Sequence, residues 1–526
     1  MLTRVDDRPH HLQLSDTAPV ALVIGAGLGG LAAAMRLGAK GYRTIVVDRL
    51  NTPGGRATAV HKKGHRFDLG PTIVTVPQLF RELWAATGRD FDADVDLKSL
   101  DPLYEIRFSD GSRFNARQAE AAMRAEVARL SPGDLPGYDR FMKDSERRYT
   151  FGFEDLGRRP MNLLWELIKV LPIFAWLRAD RSVYAHVSRR LKDPRLRMAL
   201  SFHPLFIGGD PFNVTSMYIL VSYLEKAFGV HYAMGGVGAI AEAMARIVQE
   251  QGGTLRYGEE VDEILTDADR VTGVRTALGE TVKADIVVAN ADAGHTYDQL
   301  LRNRPKRRWS PHRLRKTRWS MGLFVWYFGT QNTKHLWSDV GHHTILNGPR
   351  YKELVHDIFI KGRLADDMSL YVHRPSVTDP GSAPEGGDTF YALSPVPHLG
   401  FKDPVDWVTM AEPYRQRVQK LLETELLPGL SSHLSASHVM TPLDFESRYL
   451  SPHGCGFSIE PRILQSAWFR PHNISEEIEG LYLVGAGTHP GAGLPGVISS
   501  AEVLGKLVPD ADTAPVAAPA REVVSA

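Results

Sequence analysis

The sequence predicts an α/β fold in which separated segments of the chain build one parallel sheet. Three observations lead to this prediction. An apolar run at residues 21–24 is followed by the glycine pattern G-x-G-x-x-G at residues 25–30. Small and apolar residues then recur at helical spacing, and a second apolar run at residues 44–47 ends in Asp48. Strand, glycine turn, helix and second strand in this order are typical of a Rossmann-like βαβ unit that binds a dinucleotide.

Each glycine of the pattern has a structural role. Gly25 allows the tight turn, Gly27 lets the backbone approach a pyrophosphate, and Gly30 lets the helix pack close to the sheet. Ala26, between the first two glycines, belongs to the same predicted site. Asp48 follows at about the 20-residue distance expected of a ribose-binding carboxylate. A glycine-rich turn that serves packing alone is the alternative, but the complete βαβ pattern favours dinucleotide binding.

Length and composition limit the classes of protein to consider. A chain of 526 residues is too long for one core, so we expect two or more domains. The 62 basic and 61 acidic residues balance, which gives no general argument for nucleic acid binding. Cys455 is the only cysteine, so neither an internal disulfide nor a cysteine-rich metal site is expected, and a reducing compartment fits. Residues 1–17 lack the apolar core of a secretory signal.

Two further glycine-rich stretches extend the predicted binding site. Gly54, Gly55 and Arg56 predict a backbone loop that closes over an anion, with Arg56 as its charge partner. A plain turn with a surface arginine is the alternative. Residues 481–487 predict a strand that runs into glycines, followed by a helix at residues 501–507. The free N–H groups of that helix would suit the pyrimidine end of a flavin, which becomes anionic on reduction.

The middle of the chain predicts a substrate region that is mostly helical from residue 95 to residue 230. Residues 161–177 are strongly apolar, yet carry Glu166, Lys169 and Pro172 and have arginines on both sides. No window reaches the apolar length of about 20 residues that a membrane span needs. An interfacial helix at the headgroup level of a membrane and a buried core helix both remain possible, with the first favoured.

The second half of the chain predicts a return to the first sheet. Short β-rich runs at residues 254–257, 261–265, 271–275 and 285–288 are expected to complete it. The basic stretch 302–318 indicates a solvated face or contact with anionic lipid rather than nucleic acid. We expect a structural role for the adjacent pair His342–His343 and predict no metal site, because no acid–histidine pattern with catalytic spacing accompanies the pair.

Together, the opening fingerprint, Pro53-Gly54-Gly55-Arg56, Phe67-Asp68-Leu69-Gly70-Pro71-Thr72 and the stretch 485–500 resemble bacterial-type phytoene desaturases. These are FAD-dependent carotenoid desaturases of the flavin amine oxidase superfamily. The resemblance covers almost the whole chain except the tails, and the stretches 201–216 and 457–473 are most similar to the enzymes of purple photosynthetic bacteria. The C-terminal stretch is more specific than the N-terminal fingerprint, which many flavoproteins share.

The resemblance implies an FAD-binding domain assembled from discontinuous segments and an α+β substrate domain with a helical, membrane-facing part. The implied boundaries are a disordered tail at 1–17, FAD-binding parts at 18–95, 231–295 and 475–509, a helical substrate and membrane-associating region at 96–230, a substrate domain at 296–474 and a disordered tail at 510–526. By motif, the FAD site implied by the resemblance comprises Gly25, Ala26, Gly27, Gly30, Asp48, Gly55, Arg56, Val261, Gly487, Gly496 and Val497.

Two departures from the wider superfamily concern this site. Asp48 stands where many flavoproteins have glutamate, and the shorter acid still reaches a ribose. Gly487 stands where related oxidases have an acid, so backbone contacts would replace a side-chain contact to the ribityl chain.

The resemblance also implies the reaction. The substrate is 15-cis-phytoene, which is dehydrogenated through phytofluene and ζ-carotene to neurosporene or one step further to lycopene. Oxygen or a membrane quinone would reoxidise the flavin, and the enzyme would act at the cytoplasmic side of the inner membrane. No residue stands out as a general base. The alternatives are a desaturase of a later carotenoid such as hydroxyneurosporene, an isomerase or saturase of the same superfamily, and a non-enzymatic prenyl-lipid carrier on the same fold.

Overall fold

The structure is a computed structural model that describes residues 17–512. The predicted disorder of residues 1–16 and 513–526 lies outside the described residues. In chain order the strands β1–β19 are Val20–Ile24, Arg43–Asp48, Ala59–Lys62, His65–Asp68, Leu97–Ser99, Tyr104–Phe108, Arg113–Ala116, His231–Ala233, Thr254–Tyr257, Val261–Asp267, Arg270–Thr276, Thr281–Lys283, Ile286–Ala289, Gly322–Thr330, His343–Asn347, Leu370–His373, Asp388–Val396, Leu434–Met440 and Leu481–Leu483. The helices α1–α17 are Leu28–Ala39, Gln78–Ala85, Phe91–Asp94, Glu120–Leu130, Leu135–Arg148, Leu164–Trp176, Val183–Ser188, Pro194–Ala199, Leu220–Phe228, Gly236–Glu250, Ala293–His295, Pro311–Lys316, Tyr351–His356, Trp407–Glu425, Leu430–His433, Pro442–Tyr449 and Leu494–Leu507.

A five-stranded parallel sheet forms the centre of the first region. Its strand order is β19-β13-β1-β2-β9, and Val23 on β1 pairs with Val46 on β2 and Val288 on β13. Both α10 and α17 pack against α1. The sheet therefore takes strands from three distant parts of the chain, which confirms the predicted assembly from discontinuous segments.

Two of the runs that we expected in this sheet lie elsewhere. β10 and β11 pair with each other as a hairpin, Asp267 opposite Arg270, and with β12 they form a separate three-stranded antiparallel sheet. The prediction was wrong for these two runs because their short connection favours pairing between neighbours over pairing with a distant sheet.

A second, seven-stranded sheet has the order β18-β14-β17-β16-β15-β6-β7. Every residue of β14 is buried. The strands β6 and β7 lie inside the segment that we predicted to be mostly helical. On β6 the buried residues Tyr104, Ile106 and Phe108 alternate with half-buried charged residues, a two-residue period that the prediction overlooked.

The described part of the predicted C-terminal tail contacts Lys40, the residue that follows α1. The N–H of Ala511 donates to the carbonyl of Lys40, whose ammonium group pairs with Asp510 at 2.7 Å. The prediction that disorder begins at residue 510 was therefore wrong for residues 510 and 511, which make these contacts.

No helix within residues 17–512 is both long enough and apolar enough to span a membrane.

Candidate active site

One large cavity of about 1050 Å³ connects the parallel sheet with the helical region. At one end it is bordered by Ile24, Asp48 and Asn290, where β1, β2 and β13 reach their carboxyl ends. This is the edge at which open α/β sheets bind ligands. At the other end its wall is formed by apolar side chains of α6 and the segment around Phe206.

The glycine turn after β1 is packed so closely that side chains are excluded. Gly25 has a φ of +99°, and its N–H donates to Val47 at 2.8 Å. A Cβ atom on Gly30 would lie 2.0 Å from the Gly25 carbonyl oxygen, and one on Gly27 would lie 2.8 Å from Nδ2 of Asn290. The turn thus leaves a bare backbone cradle at the N-terminus of α1, whose first turn contains no acidic residue to oppose an anion.

Asp48 is buried at the end of β2 and is fixed by backbone donors. Its Oδ2 accepts from the N–H of Ala26 at 2.6 Å and its Oδ1 accepts from the N–H of Leu50 at 2.7 Å. Burial raises the pKa of this carboxyl, and the two N–H donors oppose that shift. The carboxylate therefore faces the cavity in a fixed orientation, with lone pairs left for a hydroxyl donor.

The Gly54-Gly55-Arg56 loop lies against the first turn. The N–H of Gly54 donates to the carbonyl of Ala26 at 2.8 Å, and a Cβ on Gly55 would come within 3.3 Å of the Gly27 Cα. Arg56 binds the Ser451 hydroxyl, but its buried Nε has no hydrogen-bond partner among the described residues. An orphaned guanidinium N–H at a cavity wall fits an anionic ligand.

A second helix begins at the cavity, as the glycine-rich C-terminal stretch predicted. α17 starts at Leu494, seven residues before the helix that we expected, because Pro495 is tolerated in a first helical turn. Its first turn also contains no acidic residue. A Cβ on Gly496 would lie 2.5 Å from the Gly491 carbonyl oxygen, so the glycine keeps loop and helix in contact.

Gly487 is enclosed rather than exposed to the cavity. A Cβ at this position would lie 2.8 Å from the Ser458 hydroxyl oxygen and 3.0 Å from the Ala293 Cβ. The acid that related oxidases have there would not fit without displacing these neighbours.

Most of the predicted site residues meet at one place. Those that line the cavity are Gly25, Gly27, Asp48, Gly55, Arg56, Val261, Gly496 and Val497. Ala26, Gly30 and Gly487 are not part of the lining. The two helix N-termini without acidic residues, the fixed Asp48 carboxylate and the unpartnered Nε–H of Arg56 fit the phosphates and ribose of a dinucleotide such as FAD.

The apolar end of the cavity is closed by one side of α6. Leu167, Leu171 and Phe174 line the cavity, whereas Trp165 and Trp176 are 60% and 66% exposed on the outside. The apolar residues exposed along this segment are Leu163, Leu164, Trp165, Ile168, Leu171, Ile173 and Trp176. A helix that is wholly buried is therefore excluded, and α6 separates the cavity from an apolar outer surface.

Sequence reasoning missed an acid–imidazole pair in the cavity wall. Glu225 on α9 accepts hydrogen bonds at Oε2 from the Tyr104 hydroxyl at 3.0 Å and lies 3.3 Å from Nε2 of His203. Both Glu225 and His203 line the cavity. They are 22 residues apart in the sequence and belong to no local motif, so only the fold brings them together.

Comparison with known proteins places this site in a family. The family described as flavin containing amine oxidoreductase matches residues 28–502. A protein of Cereibacter sphaeroides named phytoene desaturase (neurosporene-forming) is 68% identical over 94% of this chain and 95% of its own. One of a Paracoccus species named phytoene desaturase (lycopene-forming) is 43% identical over 94% of this chain and 98% of its own. The solved structure of a putrescine oxidase triple mutant has a TM-score of 0.62 and 14% identity over 93% of this chain and 97% of that chain, which supports the fold alone.

The glycine cradle, the connected apolar cavity and the similarity over nearly the full length agree with one another. The chain belongs to the flavin-containing amine oxidoreductase family, within which it is an FAD-dependent oxidoreductase of the bacterial-type phytoene desaturase group.

Proposed function

We propose that this protein desaturates 15-cis-phytoene through phytofluene and ζ-carotene to neurosporene. The observation that carries the proposal is one continuous cavity. Its end at the glycine cradle fits FAD, and the cavity continues from there into an apolar compartment. The relative named as neurosporene-forming is much more similar to this chain than the one named as lycopene-forming, which supports neurosporene as the end product.

In this proposal, different residues of the cradle contact different parts of the cofactor. The backbone at Gly25, Ala26 and Gly27 holds the pyrophosphate, with Gly30 supporting the turn, and the Asp48 carboxylate accepts from the ribose hydroxyls. Gly55 and Arg56 close over the phosphates, and Val261 contacts the adenine. Gly496 and Val497, at the start of α17, approach the ribityl chain and the flavin ring, with Gly487 packed behind them.

FAD held in the cradle would supply the acceptor for a hydride from an allylic C–H bond, and a proton must leave the neighbouring carbon as the new double bond forms. We infer that the Glu225 carboxylate, hydrogen-bonded to Tyr104 and His203, receives this proton. The apolar walls exclude water and align the linear chain, and because phytoene is symmetric, each half can be presented to the same site in turn.

The outer face of α6 docks on a membrane surface in this proposal. Its exposed tryptophans and leucines lie beside basic residues, with Lys169 over the Trp165 ring and Arg147 over the Trp176 ring. Tryptophan and basic side chains together are typical of segments at headgroup level. Phytoene would pass from the bilayer along α6 into the cavity, and the membrane would supply a quinone as acceptor where oxygen does not serve. We therefore propose that the protein associates peripherally with the cytoplasmic side of the inner membrane.

Expression of the chain in a bacterium that accumulates phytoene tests the proposal. Chromatography of the pigments should show neurosporene as the main product, with lycopene as a minor one at most. Unchanged phytoene, in cells that contain soluble FAD-loaded protein, would contradict the proposal and favour a later carotenoid substrate such as hydroxyneurosporene. A protein that cannot be loaded with FAD would instead favour the prenyl-lipid carrier.

A further inference from the structure

Three histidines meet in the interior of the seven-stranded sheet. His343 begins β15 and His373 ends β16, and the antiparallel register places them opposite each other. His342 directly precedes β15. The sequence shows only the adjacent pair, because the third histidine comes from a different strand 30 residues along the chain.

The imidazole nitrogens converge at short distances. One ring nitrogen of each residue lies within 4.8 Å of the others, and Nε2 of His342 lies 3.1 Å from Nε2 of His373. Nε2 of His343 is buried and has no hydrogen-bond partner among the residues that the structure describes. A buried nitrogen without a partner costs free energy unless something absent from the protein chain binds it.

The opposite nitrogens of two of the rings are held by hydroxyl groups. Nδ1 of His343 lies 2.7 Å from the Tyr371 hydroxyl, and Nδ1 of His342 lies 2.6 Å from the Thr378 hydroxyl. Such outer contacts fix the rotation and tautomer of metal-binding histidines. With a hydroxyl accepting from Nδ1–H, each Nε2 presents its lone pair inward.

We propose that His342, His343 and His373 bind one divalent transition metal ion of the Zn²⁺ class through their Nε2 atoms. Three buried imidazoles and no thiolate favour Zn²⁺ or Co²⁺ over Mg²⁺ or Ca²⁺, which prefer oxygen ligands. The three histidines are 7%, 2% and 1% exposed, so the proposed site is largely shielded from solvent. Three protein ligands leave a fourth tetrahedral position for water.

The proposed site lies one residue behind the cavity wall. The Tyr371 hydroxyl that contacts His343 also contacts the Thr72 hydroxyl at 2.6 Å, and Tyr371 and Thr72 both line the cavity. A metal ion on His343 Nε2 directs its Nδ1–H toward Tyr371, which then donates to Thr72. The ion therefore links β15 to β16 and fixes the orientation of Tyr371 in the cavity wall. This structural role is independent of the reaction catalysed next to it.

Cobalt binding to the FAD-loaded, full-length protein tests this inference. The protein is purified without a histidine tag, stripped with a chelator and titrated with Co²⁺, whose tetrahedral complexes absorb in the visible range beyond the flavin bands. We expect one equivalent of Co²⁺ to bind with tetrahedral absorption and to be displaced by Zn²⁺. The metal content of protein purified without stripping is measured in parallel and should approach one equivalent.

Three variants make the result specific. His373→Gln should abolish the tetrahedral absorption, whereas His61→Gln, an exposed histidine elsewhere, should leave it unchanged. Tyr371→Phe keeps all three ligands and should weaken Co²⁺ binding by about 10-fold to 100-fold through loss of the outer contact. If His373→Gln fails to fold, Tyr371→Phe still decides the question. No stoichiometric binding in the wild type, or binding that His373→Gln and Tyr371→Phe leave unchanged, would overturn the inference. Because the readout is metal content, failure of the proposed desaturation would not affect it.

Discussion

Removing the apolar outer surface of α6 should release the protein from membranes. We consider the double variant Trp165→Ser/Trp176→Ser, because these side chains are 60% and 66% exposed and contribute little to the core. A tryptophan presents about 200 Å² of surface, so the pair exposes about 250 Å². At about 25 cal/mol per Å², full transfer to hydrocarbon would contribute about 6 kcal/mol.

A helix lying at the headgroup boundary gains only part of this free energy. If half is realised, the variant loses about 3 kcal/mol of binding free energy, which corresponds to about a 100-fold lower partition coefficient. The assay is sedimentation with lipid vesicles that contain anionic headgroups, with the bound flavin absorbance as the measure of protein in each fraction. FAD content and thermal stability should remain close to those of the wild type.

A matched control distinguishes vesicle binding through α6 from nonspecific vesicle binding by exposed apolar residues elsewhere. Leu278 and Val408 are 90% and 83% exposed, far from α6 in the sequence, and Leu278→Ser/Val408→Ser should sediment like the wild type. Equal loss in both double variants, or no loss in the α6 variant, would refute docking through this helix.

Three further predictions follow from the packing and electrostatics of individual residues. Gly30→Ala places a Cβ 2.0 Å from the Gly25 carbonyl oxygen and should purify with less than a tenth of the wild-type FAD. The control Gly133→Ala has open space around the added Cβ and should keep the full FAD content. Normal FAD content in Gly30→Ala would contradict the packing argument. Burial raises the pKa of Asp68 to about 7, so its protonated form favours folding. Its contribution to stability is lost as the pH rises from about 4, the pKa in the unfolded chain, through about 7. Between about pH 5 and about pH 8, chemical denaturation should show the wild type losing about 3 kcal/mol relative to Asp68→Asn, and parallel curves would disprove the shift. Glu225→Gln should keep FAD and vesicle binding but slow desaturation by about 100-fold, whereas the exposed Glu353→Gln should not; unchanged turnover would exclude Glu225 as the proton acceptor.

Local patterns in the sequence predicted the parallel sheet and most of the FAD cradle. Gly25, Gly27 and Asp48 lie within one βαβ unit, so short-range spacing is sufficient to place them. The sequence also predicted that β19 and α17, near the end of the described chain, join the same edge of the sheet. Their pattern of strand, glycines and helix repeats the pattern of β1 and α1.

Contacts between distant segments could not be predicted in the same way. The pair Glu225–His203 and the cluster that His373 completes depend on how α9 and β16 pack, and no motif marks these positions. Likewise, the apolar stretch around α6 was compatible with burial or with exposure, because hydrophobicity alone does not specify what covers a helix face. The strands β6 and β7 were missed because they are short and their alternation includes charged residues.

Anaerobic mixing of the FAD-loaded protein with vesicles that contain 15-cis-phytoene tests whether phytoene reduces the bound flavin. Without an acceptor, we expect the absorbance of the oxidised flavin to be lost and phytofluene to form in an amount equal to the flavin reduced. Vesicles with squalane, a saturated hydrocarbon, serve as the control and should leave the flavin oxidised. If the protein binds both kinds of vesicle and a chemical reductant bleaches its flavin, yet phytoene does not, then phytoene is not the substrate and the account is contradicted.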